Sequence, residues 1–190
     1  MTVITHGIIL KSIRYSDTHE IHTLFTEELG LISLMSRIKK RELLPPLFEG
    51  EFTLQKRKNF FNLIDVKQTV SHHEIRLRLE SIETAFKLIH SILKSQLALK
   101  PAPALYALTT AFLKVLPQME NMKGLLAVFL AKILLHEGHL DPESELLATL
   151  ALVKSFQEIE LVTITDEQLK TINETFDDTY ELVSEKERKK

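Results

Sequence analysis

Two runs of cations are the groups most able to do chemistry in this chain. Arg37, Lys39, Lys40 and Arg41 form the first, and Lys56, Arg57 and Lys58 the second, with Phe60 and Phe61 following at once. Guanidinium and ammonium groups neutralise phosphates and release counterions, while an aromatic face gives a base something to stack on. Both ingredients of single-strand nucleic-acid binding therefore occur close together. Neighbouring residues of a strand point to opposite faces, so one of Phe60 and Phe61 faces a core and at most one serves as a stacking platform. The competing reading makes the cations solvated loop tips and both phenylalanines core.

Other chemistry finds little support. His19 and His22 are three apart in an expected strand and so should lie on opposite faces. His136 and His139 straddle Gly138 at an expected helix end and supply only two ligands, where a structural zinc takes four. The chain has no cysteine, which removes disulfides, thiolate metal sites and cysteine nucleophiles. It also has no GxSxG, HExxH, P-loop or GxGxxG pattern. Glu49 and Glu51 fall on the polar side of an alternating run and read as solvated. No enzyme, metal or cofactor is expected.

The elements that must position the cations read as strands. Residues 48–57 alternate, with Phe48, Gly50, Phe52 and Leu54 on one face and Glu49, Glu51, Thr53, Gln55 and Arg57 on the other. After a turn at Lys58 and Asn59, residues 60–70 resume an extended pattern that puts Phe60, Ile64, Val66 and Val70 on one side. Residues 7–14, 20–26 and 31–37 are three further short runs rich in β-branched and aromatic residues. Five strands in so short a segment fit a small closed barrel, which removes exposed edges.

From about residue 79 the period becomes helical. Ile82, Phe86, Ile89 and Leu93 carry the first stripe, widened by Ala85, Leu88 and Ile92. Pro101 and Pro103 precede a second helix that Pro117 stops, and residues 124–135 are apolar almost all round, as suits a central buried helix with Gly138 as its terminator. Asp141, Pro142 and Glu143 resemble the start of a helix running to about residue 156. Thr165 and Gln168 form a possible capping box ahead of a stripe at Leu169, Ile172, Phe176 and Tyr180. The expected architecture is α+β, with a boundary near residue 78 and the two parts packed rigidly together.

Composition agrees with a folded chain. Of 190 residues, 44% are hydrophobic and 26% charged, which excludes a disordered or fibrous protein. The net charge of −2 conceals an asymmetry: residues 1–78 carry 12 basic against 9 acidic side chains, residues 79–190 carry 12 against 17. A basic first part suits an anionic partner. No segment looks like a signal peptide, and the apolar run at 124–135 is too short for a bilayer, so a cytoplasmic protein is expected.

Gly7, Ile8, Ile9, Leu10 and Lys11, then Tyr15, Asp17 and Ile21, then Thr23, Leu24, Phe25 and Thr26, then Gly30, Ile32 and Ser33 form a pattern that resembles the N-terminal segment of the bacterial RecO family. The likeness continues through Gly50, Glu51, Phe52, Thr53 and Leu54 and the strand near residues 63–70. It implies a five-stranded OB-type β-barrel (residues 1–78) followed by an all-α helical domain (79–190). It also implies a non-enzymatic, nucleoid-associated recombination mediator in DNA repair. Such a protein binds single- and double-stranded DNA, anneals complementary strands, and works with a RecR partner to help load RecA where single-strand-binding protein coats the DNA. The acidic C-terminal tail of that protein is a further implied partner. Family likeness assigns DNA contacts to Arg37, Lys39 and Lys40. Proximity extends the surface to Arg41, Lys56, Arg57 and Lys58, and Lys11 and Arg14 could line the same face. The four-cysteine zinc element of many members is missing here.

Two other readings stand beside this one. In the first, the barrel touches no nucleic acid and the acidic helical part grips a protein partner. In the second, the barrel binds RNA and would distinguish it by its 2′-hydroxyls.

Overall fold

The computed structural model describes residues 1–37, 44–58 and 60–188. Five strands come first: β1 (Thr2–Arg14), β2 (His19–Thr26), β3 (Gly30–Arg37), β4 (Glu49–Lys56) and β5 (Phe61–Val70). A 3-10 turn at His73–Leu77 follows, then α1 (Leu79–Ser95), α2 (Pro103–Val115), α3 (Met122–Glu137), α4 (Glu145–Ala151), α5 (Phe156–Leu161) and α6 (Asp166–Arg188). The strands neighbour one another in the order β1-β2-β3-β5-β4, and β1 also pairs with β4. All pairings are antiparallel except β3 with β5, which is parallel and holds through only Leu34↔Phe61 and Met35↔Asn62.

The strands form a ring whose β3–β5 seam is only two residue pairs long. The expected plan of a barrel wholly preceding an all-α domain needs correction, because the chain is not divided at one point. One compact unit takes residues 1–77 and 96–111, and the other takes 78–95 and 112–190, so the start of α2 is built into the β-unit.

Within the β-unit, Ile9, Leu24, Ile32, Leu34, Leu44, Phe52, Leu54 and Phe61 form the buried core. The opposite faces of β1 and β2 are buried too. Ile8 and Phe25 are fully inaccessible, and Phe25 meets Tyr106 of α2 edge to face with ring centroids 5.7 Å apart. The start of β3 is also strapped: Leu31 forms a parallel bridge with Ala98, and Leu99 N donates to Leu31 O at 2.8 Å. Gly30 turns there with φ +70°, and a Cβ at this position would lie 2.0 Å from Lys100 O. Only glycine fits both demands.

In β5 the sequence alternation gives the wrong face. Thr53 pairs with Asp65 but Leu54 pairs with Leu63, so Ile64 is an extra residue that bulges out of the ladder. Phe61 is therefore in the core, whereas Ile64, expected inside, is 53% exposed. A second expectation also fails on β4. Glu49 is buried, because His72, from the segment after β5, covers it and places Nε2 2.8 Å from its Oε2.

In the helical unit, α3 is buried at ten of the eleven positions from Gly124 to Leu134, all but Lys132, and Gly138 ends it in the left-handed conformation. Phe112 meets Phe129 of α3 and Phe156 of α5 at 5.1 and 5.3 Å between ring centroids. The buried side of α1 centres on Ala85, Leu88 and Ile92, leaving Phe86 exposed. The helix expected over 141–156 is instead α4 and α5, each with its own serine cap: Ser144 accepts from Leu147 N and Ser155 from Glu158 N. Thr165 and Gln168 do make a reciprocal capping box, with bonds of 2.9 and 3.2 Å.

Candidate nucleic-acid interface

A cleft of about 480 Å³ opens beside the β3–β5 seam. Its walls include Arg37 from β3, Gln55 from β4, Phe60 from the β4–β5 turn, and Asn62, Ile64 and Asp65 from β5. Register explains the convergence. Met35, Asn62 and Gln55 lie in one row across three strands. Arg37 lies two residues beyond Met35 on β3 and Ile64 two residues beyond Asn62 on β5, where the two strands no longer pair and the cleft opens. Gln55 and Phe60 of the lining flank the cationic turn Lys56–Arg57–Lys58 in sequence; the turn does not itself line the cleft and is tightened by Arg57 N donating to Phe60 O at 2.9 Å.

The cations here are available. Arg37, Lys56, Arg57 and Lys58 are exposed and have no ion pair among the described residues. Phe60 is half-buried in the cleft wall without an aromatic neighbour, while Phe61 is 4% exposed inside the core. Stacking is therefore open to Phe60 alone of the two. Lys39, Lys40 and Arg41 lie outside the described residues.

Two other expected site residues are not in the lining. Lys11 is exposed on β1 beside Ser12, whose hydroxyl reaches the cleft residue Leu44. Arg14 is engaged by Asp17 Oδ1 at 3.2 Å and by Ser16 O. Neither lines the cleft.

A buried polar relay supports one wall. His22 is fully inaccessible, with Nδ1 2.8 Å from Ser12 Oγ and Nε2 2.8 Å from Ser36 Oγ. Ser12 in turn donates to Leu44 O at 2.8 Å. Ser36 and Leu44 are both cleft residues, so the relay ties β1, β2 and β3 to the chain that leads into β4. Burial lowers the His22 pKa below its ordinary 6.5, against the opposing pull of Glu20.

Sequence reasoning missed Asn62, Ile64, Asp65 and the relay. The bulge at Ile64 shifts the parity of β5, and no composition signal marks it. His22 was separable from His19 by parity, but its burial depends on partners from distant strands. Among the described residues no group of three or more His, Asp or Glu side chains is arranged to hold a metal ion, and no helix is long and apolar enough to cross a membrane.

Residues 1–71, which contain every residue lining the cleft, match the family described as Recombination protein O N terminal. The chain is similar to the bacterial RecO family. A DNA repair protein RecO from Chlamydia pneumoniae is 29% identical over 148 residues, covering 74% of this chain and 58% of that protein. The Chlamydia muridarum protein of the same name is 30% identical over 152 residues, covering 74% and 63%. That of Caldicellulosiruptor saccharolyticus is 32% identical over 75 residues, covering 36% and 31%. The chain spans about 60% of the length of the chlamydial RecO relatives.

Proposed function

We propose that this RecO-like chain is a non-enzymatic DNA repair and recombination mediator whose β-unit binds DNA through the cleft beside the β3–β5 seam. The observation that carries the reading is that Arg37, with no ion pair among the described residues, and Phe60 line one groove, with the exposed Lys56–Arg57–Lys58 turn next in sequence to its Gln55 and Phe60 walls. Cations along the groove neutralise phosphates and release counterions, and Phe60 takes a base face, which is the chemistry of single-strand binding. Duplex DNA engages the same cations through phosphate contacts alone. On this reading the protein holds strands for annealing and, with a RecR partner and contact to the tail of single-strand-binding protein, helps RecA load. Nucleoid association follows from the DNA contacts.

Fluorescence-anisotropy titration of a labelled single-stranded oligonucleotide at several salt concentrations tests this. With about four phosphates contacted, log K falls against log salt with a slope near −3. Replacing Arg37, Lys56 and Arg57 together by Ala lowers affinity and makes the slope shallower, while Lys11→Ala leaves both unchanged. Absence of binding at low salt, or an unchanged slope in the triple variant, would overturn the assignment.

A further inference from the structure

The cleft holds one group that phosphate binding does not explain. Asp65 is exposed in its wall, in the same lining as Arg37, and has no hydrogen bond or ion pair among the described residues. A lone carboxylate repels a phosphate backbone, so its presence in a groove for a polyanion calls for a donor on the same ligand. In single-stranded DNA those donors are the amino and imino groups of unpaired bases. Adenine, cytosine and thymine each offer a carboxylate a single donor-bearing nitrogen. Guanine alone presents two adjacent ones, N1–H and N2–H, at the spacing of two carboxylate oxygens.

Neighbouring groups suit an unstacked base. Asn62 and Ile64 rise from the same strand and lie on the same wall, and Gln55 is the register partner of Asn62. Phe60 is five residues from Asp65, about 15 Å of bulged strand and so about two nucleotide steps. One base can then stack on Phe60 while the next base but one presents its edge to Asp65, with Arg37 on a phosphate between them.

We infer that Asp65 gives the cleft a preference for guanine, by accepting from N1–H and N2–H of one unpaired base, within otherwise sequence-tolerant binding. This rests on the DNA-binding reading above and refines it to a base class.

The test uses the full chain and fluorescein-labelled 11-mers of thymidine with a single central dG, dI, dA, dC or dT. Inosine keeps N1–H and lacks the amino group. Wild type should bind the dG oligonucleotide at least about fivefold more tightly than the dI one, the scale of a bidentate contact, and more tightly than the other three. Asp65→Ala should level the series, and Arg37→Ala should weaken all five alike. Equal affinity of wild type for dG and dI, or a preference that survives Asp65→Ala, overturns the guanine assignment while leaving DNA binding intact. Failure of all five to bind at low salt overturns the DNA-binding reading itself. The wild-type comparison alone decides the matter if the variant does not fold.

Discussion

His22 faces Ser12 as the donor: the Ser12 hydroxyl gives its only proton to Leu44 O, so it can only accept from Nδ1, and Ser36 then donates to Nε2. The imidazole is held neutral in one tautomer. Because burial lowers its folded-state pKa below 6.5, the unfolded chain binds a proton that the folded chain resists. Stability is therefore full above about pH 6.5 and is lost as pH falls below that value toward the lowered one. Urea melts between about pH 5 and pH 8 should show this slope, and His22→Ala should reduce it while destabilising the protein at every pH. An NMR titration in which the His22 ring protonates at or above pH 6.5 would contradict the account.

Adjacent phenylalanines should behave as opposites. Phe61→Ala empties a core position and should cost about 3–5 kcal/mol in denaturant melts. Phe60→Ala should leave stability nearly unchanged yet weaken single-strand binding by about 1–3 kcal/mol. Equal loss of stability in the two variants would place Phe60 in the core as well.

Two glycines with positive φ give a graded comparison. Gly138 has φ +74° with nothing within 4 Å of a built Cβ, so Gly138→Ala meets backbone strain alone, about 1–2 kcal/mol. Gly30→Ala adds a collision with the Lys100 carbonyl and should cost clearly more. Thermal melts of the two variants side by side measure the difference.

Asn121 joins three segments of the helical unit. Its Oδ1 accepts from Gly124 N at the start of α3, and its Nδ2 donates to Ile159 O and Val162 O at 2.8 and 2.7 Å. Asn121→Ala should cost about 2–3 kcal/mol by losing the cap and the Nδ2 donor to two carbonyls, of which Ile159 O keeps Val162 N. Asn121→Asp keeps the cap but sets a charge against those carbonyls and near Glu160, whose carboxylate accepts from Glu120 N and Asn121 N. It should rescue little at neutral pH in the same melts.

What could be read from the residues alone was whatever local rules decide. The all-round apolar run of α3 marked its burial, Gly138 its end, and Thr165 with Gln168 the start of α6. The strand pairing of β1 with β4 and the cover of Glu49 by His72 depend on residues far apart in sequence, and period-two reasoning carries no such information. One added residue at Ile64 was enough to invert the face of β5 and to hide Asn62, Ile64 and Asp65 from the candidate site. Between α4 and α5 the Asp141–Pro142 signal outweighed two quieter serines that set the actual helix starts. Arg37, Phe60 and the Lys56–Lys58 turn were identifiable by type, but that Arg37 and Phe60 line one cleft followed from the fold.

The interleaved division of the chain has a practical corollary. Because the polypeptide passes between the two units at residues 77–78, 95–96 and 111–112, no single scission isolates either one. A fragment ending near residue 78 would forfeit Tyr106 and the strap at Ala98, baring Phe25 and the edge at Leu31 to solvent. Excising the β-unit therefore calls for a splice that carries residues 96–111 along, not a truncation.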